Sequence, residues 1–140
     1  MPGGTRDEDP KIQEELRDDN LPFEDAKLFE FRDAKEKEAA FLVERGDGIL
    51  ITGDSVHNWT DTAGCSLPAK LVTRIMGFLK RPAQIGPPWR KMMSPDEGTL
   101  RPDFERLASL DFAHIVPAHG CPLMNTAKQD LKATIEATFP

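Results

Sequence analysis

A predicted hairpin constrains the fold of this chain more than any other sequence feature. Two apolar runs, Ala40–Val43 and Ile49–Thr52, flank the turn sequence 45–48, which reads Arg-Gly-Asp-Gly. Glycine and aspartate tolerate the positive φ angles that tight hairpin turns require. Both runs are apolar enough to be buried strands, and the second leads directly to Asp54. The sequence therefore predicts a buried hairpin that carries a carboxylate to the end of a strand.

Strands and amphipathic helices are predicted for the rest of the chain. One strand pattern covers 28–31, and a short buried strand covers 112–116. Apolar residues recur at helical spacing in three further segments. These helices are predicted to begin at the cap residues Ser66, Thr99 and Asn125. The Pro-rich segment 81–98 is predicted to be a loop. This order predicts an α/β fold in which helices cover one face of a mixed sheet.

Length and composition indicate one domain with a charged leading segment. The chain has 140 residues, which suffices for one domain with its own core. Residues 1–22 are rich in charge and show little apolar periodicity. We interpret 1–22 as a mobile N-terminal segment and 23–140 as the folded domain.

Charge and hydropathy restrict the partners that this chain is expected to have. The net charge is −6 and no block of lysine and arginine stands out, which argues against nucleic acid. No run reaches the roughly eighteen apolar residues of a membrane span, and the start lacks the apolar region of a secretory signal. Cys65 and Cys121 are far apart, which favours free thiols in a reducing compartment. We therefore expect a cytoplasmic protein without nucleic-acid or membrane partners.

The candidate site residues lie just beyond apolar strands. Asp54 and His119 each follow such a strand beside a glycine, and a carboxylate with an imidazole is a recurring ligand set for zinc or iron. His57 could complete the set, although its spacing from Asp54 fixes no geometry. Each residue also has a structural interpretation, because an aspartate at a strand end commonly caps a turn. If the two strands are parallel neighbours, Asp54 and His119 meet at one edge of the sheet.

The strand "GILITGD" and the later "LRPDFERLASLDFAHIVPAHGCPL" together resemble the C-terminal half of the metallo-β-lactamase superfamily. Members carry a strand that ends in Gly-Asp, whose aspartate bridges two metals. A later turn similar to Pro-Gly-His-Gly supplies the last histidine ligand. The resemblance covers roughly residues 24–139 and implies these two roles for Asp54 and His119. The fold it implies for 23–140 is half of an αββα sandwich.

The sequence departs from that superfamily at its defining metal site. The His-x-His-x-Asp-His cluster is absent, and the chain has only three histidines in total. The superfamily's next metal histidine precedes the hairpin, where this chain reads "FRDAKEKEAAFLV". A catalytic zinc usually needs three protein ligands, and Asp54 and His119 supply two. We therefore expect weak zinc binding or none, with His57 as the first additional ligand to test.

The sequence resembles the superfamily in two motifs but lacks its defining metal ligands, so three functions remain as alternatives. The interpretation we favour is a degenerate, non-catalytic member of the superfamily that acts as a binding or assembly module. The second is a metal-dependent hydrolase of a small-molecule substrate, with a rebuilt or shared site. The third is a fragment of a longer metallohydrolase. A lone half would expose the inner face of its sheet, so we also expect a homodimer in which a second chain covers that face.

Overall fold

The computed structural model describes Arg17, residues 19–21 and residues 23–140. The prediction of a mobile segment over 1–22 therefore lies largely outside the described residues. Within the described part of the chain, no helix is both long enough and apolar enough to cross a membrane.

The described residues form six strands and four helices. In chain order they are β1 (Ala26–Glu30), β2 (Ala39–Val43), β3 (Ile49–Thr52), β4 (Val56–His57), α1 (Leu67–Ile75), β5 (Gln84–Ile85), α2 (Pro87–Met93), α3 (Arg101–Ser109), β6 (His114–Pro117) and α4 (Ala127–Thr138). The main sheet has the order β1-β2-β3-β6, while β4 and β5 pair separately. The pairs β1–β2 and β2–β3 are antiparallel, and β3–β6 is parallel. The prediction of a mixed α/β fold with a mixed sheet is confirmed.

The prediction of a loop over 81–98 was wrong, because this segment contains β5 and α2. Proline is acceptable in the first turn of a helix, where the backbone N–H has no partner within the helix. Pro87 and Pro88 occupy that turn of α2, so they begin a helix instead of excluding one. Trp89 and Met93 are then buried against the core.

Two predicted helix caps also shift by one residue. Leu100 and Thr126 occupy the N-cap positions of α3 and α4, and neither makes a side-chain cap hydrogen bond. Thr99 still contributes, because its hydroxyl accepts the Arg101 N–H at 3.2 Å. Asn125 adopts a positive φ of 68° ahead of α4. These end residues are the least reliable part of any pattern-based assignment.

One face of the main sheet is packed against helices. Alternate residues of the strands point to that face, and they are buried with the apolar sides of α3 and α4. The main contributors are Phe29, Leu42, Leu50, Ile115, Phe104, Leu107, Leu131 and Ile135. Trp89 from α2 joins them, with its ring centroid 5.4 Å from Phe31 and 5.8 Å from Phe104. The segment 81–98 therefore belongs to the core on this side of the sheet.

The opposite face of the sheet presents apolar side chains in register. Phe41 on β2 pairs with Ile51 on β3, which pairs with Val116 on β6. Ile51 and Val116 are 41% and 37% exposed. We call this row the open sheet face.

Helix α1 has the predicted amphipathic pattern, but its apolar stripe faces solvent. Leu67, Leu71 and Ile75 lie four residues apart on one side of the helix, and all three are exposed. Every residue of α1 keeps some solvent exposure in the described structure. The sequence periodicity was read correctly as a helix, but it could not tell which surface the apolar stripe faces.

A buried carboxylate fastens α3 to the end of β1. Asp103 is 1% exposed and accepts the Arg32 N–H at 2.9 Å and the Asp33 N–H at 2.7 Å. Arg106, one turn further along α3, donates to the same carboxylate at 2.5 Å. Charge-assisted hydrogen bonds of this kind are about twice as strong as neutral ones.

We expect Asp103→Ala to lower the free energy of unfolding by about 3 kcal/mol, since it leaves two backbone N–H groups and a guanidinium without their acceptor. Urea denaturation measures the loss. Asp96→Ala is the control, because Asp96 pairs with Lys35 at an exposed position and should have no measurable effect. Equal stability of the Asp103 variant and the control would contradict this role.

Candidate functional site at the end of β3 and β6

Parallel pairing of β3 and β6 brings Asp54 and His119 together. Thr52 lies opposite Pro117 at the end of the ladder, so the residues that follow emerge at the same edge of the sheet. Asp54 Oδ1 and His119 Nε2 are 3.0 Å apart, and both side chains are exposed. The expected adjacency of these two residues is confirmed.

Asn58 holds the turn that carries His119. Its N–H donates to the His119 carbonyl at 3.2 Å, and its carbonyl accepts the Cys121 N–H at 2.9 Å. Its side-chain amide donates to the Cys121 carbonyl at 2.9 Å. Gly120 has a φ of 96°, and a Cβ there would lie only 2.2 Å from the Asn58 carbonyl oxygen. Glycine is required at this close approach, and Asn58 is a positioning residue that the sequence pattern did not reveal.

His57 lies in a buried position beside the Asp54–His119 pair. Strand β4 pairs with β5 so that His57 lies opposite Gln84. The imidazole is 6% exposed, and neither ring nitrogen has a hydrogen-bond partner among the described residues. Its ring stacks on Phe78, with centroids 5.5 Å apart, and lies 5.3 Å from the His119 ring. The structure thus brings all three candidate ligands into one region.

Burial lowers the pKa of His57 below its ordinary value of 6.5, because the charged imidazolium loses hydration in this position. The His119 ring lowers this pKa further. The backbone carbonyl and the carboxylate of Asp54 act in the opposite direction, although no ring nitrogen of His57 meets hydrogen-bond geometry with them. We take burial as the dominant effect, so His57 is neutral at pH 7.

The three polar residues lie at the mouth of an apolar cavity of about 290 Å³. Its other walls are Trp59, Phe78, Pro88, Trp89 and Met92. The indole N–H of Trp59 is buried and has no acceptor among the described residues. A concave apolar pocket with a few unpartnered polar groups is the usual form of a small-molecule site. The aromatic walls come from distant segments, which is why sequence spacing did not identify them.

The side chains at this site do not fit a structural or catalytic zinc centre. Within the described ranges, no group of three His, Cys, Asp or Glu side chains is placed to hold a metal ion. Asp54 and His119 bond to each other, and the Nε2 atom of His57 lies against Gly86, where an added Cβ would be 2.9 Å away. Two available ligands fall short of the three that such a centre needs.

The remaining reactive side chains have other roles. His114 is half-buried, and its Nδ1 accepts the Asn125 N–H at 3.0 Å, which makes it a structural residue at the start of α4. Cys65 and Cys121 are both free thiols, as expected.

No protein-family model matches this sequence, and no curated protein matches it either. The resemblance to the metallo-β-lactamase superfamily therefore stays a hypothesis based on the motif residues.

The lowered pKa of His57 predicts a pH dependence of stability in metal-free buffer with a chelator. As pH falls from about 6.5 toward the folded-state pKa of His57, the unfolded chain binds a proton that the folded chain does not, so the free energy of unfolding decreases. Urea denaturation should show a smaller acid loss in His57→Gln than in the unsubstituted protein. His114→Gln, as control, should keep the His57 contribution. Identical pH profiles for the His57 variant and the unsubstituted protein would overturn this prediction, as would an imidazole NMR titration of His57 at or above pH 6.5.

Proposed function

We propose that this chain is a non-catalytic binding or assembly module with the fold of a degenerate metallo-β-lactamase half domain. The observation that carries the proposal is the 3.0 Å contact between Asp54 Oδ1 and His119 Nε2. These two residues match the metal ligands of that superfamily, but here they satisfy each other. The free thiols further support a location in the reducing cytoplasm.

The pocket that Asp54, His57 and His119 line supplies the binding part of this proposal. Its walls favour a small molecule with a largely apolar body. The unpartnered Trp59 N–H offers a hydrogen bond to an acceptor on that molecule, and the Nδ1 atom of neutral His57 offers one further donor or acceptor. Because buried polar groups without partners are costly, a ligand that satisfies them gains affinity.

A metal-dependent hydrolase is the second candidate, and the position of His57 favours it. Both nitrogens of this imidazole lack partners, and the ring lies next to His119. A metal site would still need a donor from outside the described residues, such as a carboxylate of a second chain. This candidate and the binding module differ in their need for metal.

We expect elemental analysis of protein purified without chelators or added metal to give well under one zinc per chain. Hydrolysis of generic ester or lactam substrates should proceed no faster than in buffer, because two ligands do not hold zinc tightly. Any weak zinc binding in a calorimetric titration should be lost in His119→Gln and retained in His114→Gln. Two tightly bound metals per chain would reject the binding module and support the hydrolase.

The open sheet face supports the assembly part of the proposal. Phe41, Ile51 and Val116 form one row across three strands, on the face away from the helices. Sheets of this kind bury such rows by packing face to face about 10 Å apart. A two-fold homodimer is the commonest way to cover one surface with an identical one. We therefore propose that a second copy of the chain packs on this face.

Sedimentation at micromolar concentration should show a dimer of the 15.6 kDa chain. Ile51→Lys should raise the dissociation constant about tenfold or more, because it places a charge in the middle of the interface. Leu71→Lys is the matched control, since it adds the same charge at an exposed apolar position on α1. A monomeric unsubstituted protein would refute the dimer. If Leu71→Lys dissociates the dimer and Ile51→Lys does not, the interface includes α1 instead of the open sheet face.

A further inference from the structure

One part of the sequence reverses the charge of the whole chain. The protein carries 24 acidic residues against 18 lysine and arginine residues, yet the stretch 62–95 contains no acidic residue at all. Six basic residues fall in this stretch: Lys70, Arg74, Lys80, Arg81, Arg90 and Lys91. An acidic protein with one such region has a local preference for anions.

Three of these six cations meet around one cavity. Lys80, Arg81 and Arg90 line a space of about 290 Å³ between the end of α1, the strand β5 and the end of α4. The described residues that line it include no aspartate or glutamate. None of the three cations forms an ion pair with another described residue, and Arg90 makes only a long contact of 3.4 Å to the Thr138 carbonyl. The cavity therefore gathers positive charge that the described structure does not neutralise.

A buried amide lines the same cavity. Gln84 is 8% exposed, and its Nε2 donates to the Ile85 carbonyl at 3.2 Å. That bond fixes the orientation of the amide, and Oε1 is left without a donor among the described residues. A buried acceptor without a donor is a rare feature that needs a partner. An anion that also carries a hydrogen-bond donor, such as a hydroxyl group, would match both features of this cavity.

We propose that the cavity formed by Lys80, Arg81, Arg90 and Gln84 is a binding site for a phosphate group. Phosphate at neutral pH combines negative oxygens, which the guanidinium groups bind in a bidentate manner, with a P–OH group that can donate to Gln84 Oε1. The cavity is larger than one phosphate, so it also has room for part of a molecule to which the phosphate is esterified. Because a phosphate monoester is mostly a dianion at neutral pH, a hydroxyl elsewhere on that molecule would then donate to Gln84 Oε1. Sulfate has the same shape and charge but carries no hydroxyl at this pH.

This site is distinct from the pocket at Asp54 and His119, and it does not rest on the function proposed for that pocket. The two cavities share no lining residue: His57 lines one, and Gln84, its cross-strand partner, lines the other. Each of these two buried side chains has an atom without a hydrogen-bond partner among the described residues.

Calorimetric titration of the full chain with inorganic phosphate, in chloride buffer near physiological ionic strength, tests the proposal. We expect saturable binding at millimolar concentration with one site per chain. The double variant Arg81→Gln/Arg90→Gln should weaken it at least tenfold. Lys70→Gln/Arg74→Gln removes the same charge from the same stretch outside the cavity, and it should change the affinity less than twofold because exposed charges are screened. Thermal unfolding checks that all variants fold.

Gln84→Leu separates recognition of the hydroxyl from attraction of charge. This variant should lose several-fold in affinity for phosphate and none for sulfate, which the unsubstituted protein should bind more weakly than phosphate. An absence of saturable phosphate binding would overturn the proposal. So would equal losses in the two double variants, or equal affinity of the unsubstituted protein for phosphate and sulfate.

A vesicle-binding experiment distinguishes a lipid headgroup from a soluble phosphate compound as the source of the phosphate. Cosedimentation with phosphatidic acid vesicles, but not with phosphatidylcholine vesicles, and displacement by free phosphate would identify a lipid headgroup in the cavity. Binding of free phosphate without vesicle binding would identify a soluble phosphate compound. Vesicle binding that free phosphate does not displace is general electrostatic attraction, and it would contradict the cavity as the site.

Discussion

The parallel pairing of β3 with β6 is the constraint on which the candidate site depends. The Ala113 and His114 N–H groups donate to the Gly48 carbonyl at one end of the ladder, and the Ala118 N–H donates to the Thr52 carbonyl at the other. A Cβ on Gly48 would lie 2.3 Å from the carbonyl oxygen of Asp111, so the strands approach only because residue 48 is glycine. With both ends of the ladder hydrogen-bonded, the loops that carry Asp54 and His119 leave the sheet side by side at one edge.

Most of the unpartnered buried polar atoms belong to residues that line the two cavities proposed as ligand sites. Among the described residues they belong to Ser55, His57, Trp59 and Gln84. Folding strongly selects against such atoms, because each has given up its hydrogen bonds to water. Three of these four residues line one of the two cavities: His57 and Trp59 line the first, and Gln84 lines the second. The ligands proposed for these cavities would supply partners to these three side chains.

Much of the architecture could be predicted because it depends on local patterns. Side-chain size and spacing within short segments predict the hairpin, the amphipathic helices and the strand before His119. The adjacency of Asp54 and His119 followed from one further rule, that parallel neighbours end at the same edge of a sheet. The pattern predicts a loop over 81–98 because proline interrupts the interior of a helix. Proline is also favourable in the first turn of a helix, and only the packing of Trp89 against Phe31 and Phe104 shows that a helix forms here.

The sequence by itself determined the α/β class, the strand-end position of Asp54 and His119, the absence of a His-x-His-x-Asp-His cluster, and the acid-free stretch 62–95. Only the tertiary structure decided that His57 is buried, that the stripe of α1 faces solvent, and that Arg81, Arg90 and Gln84 share a cavity. Each of these depends on contacts between segments far apart in the chain, and neither local spacing nor composition specifies which surfaces meet. Periodicity predicts which residues share one face of a helix or strand, but the packing of that element determines which residues the face contacts.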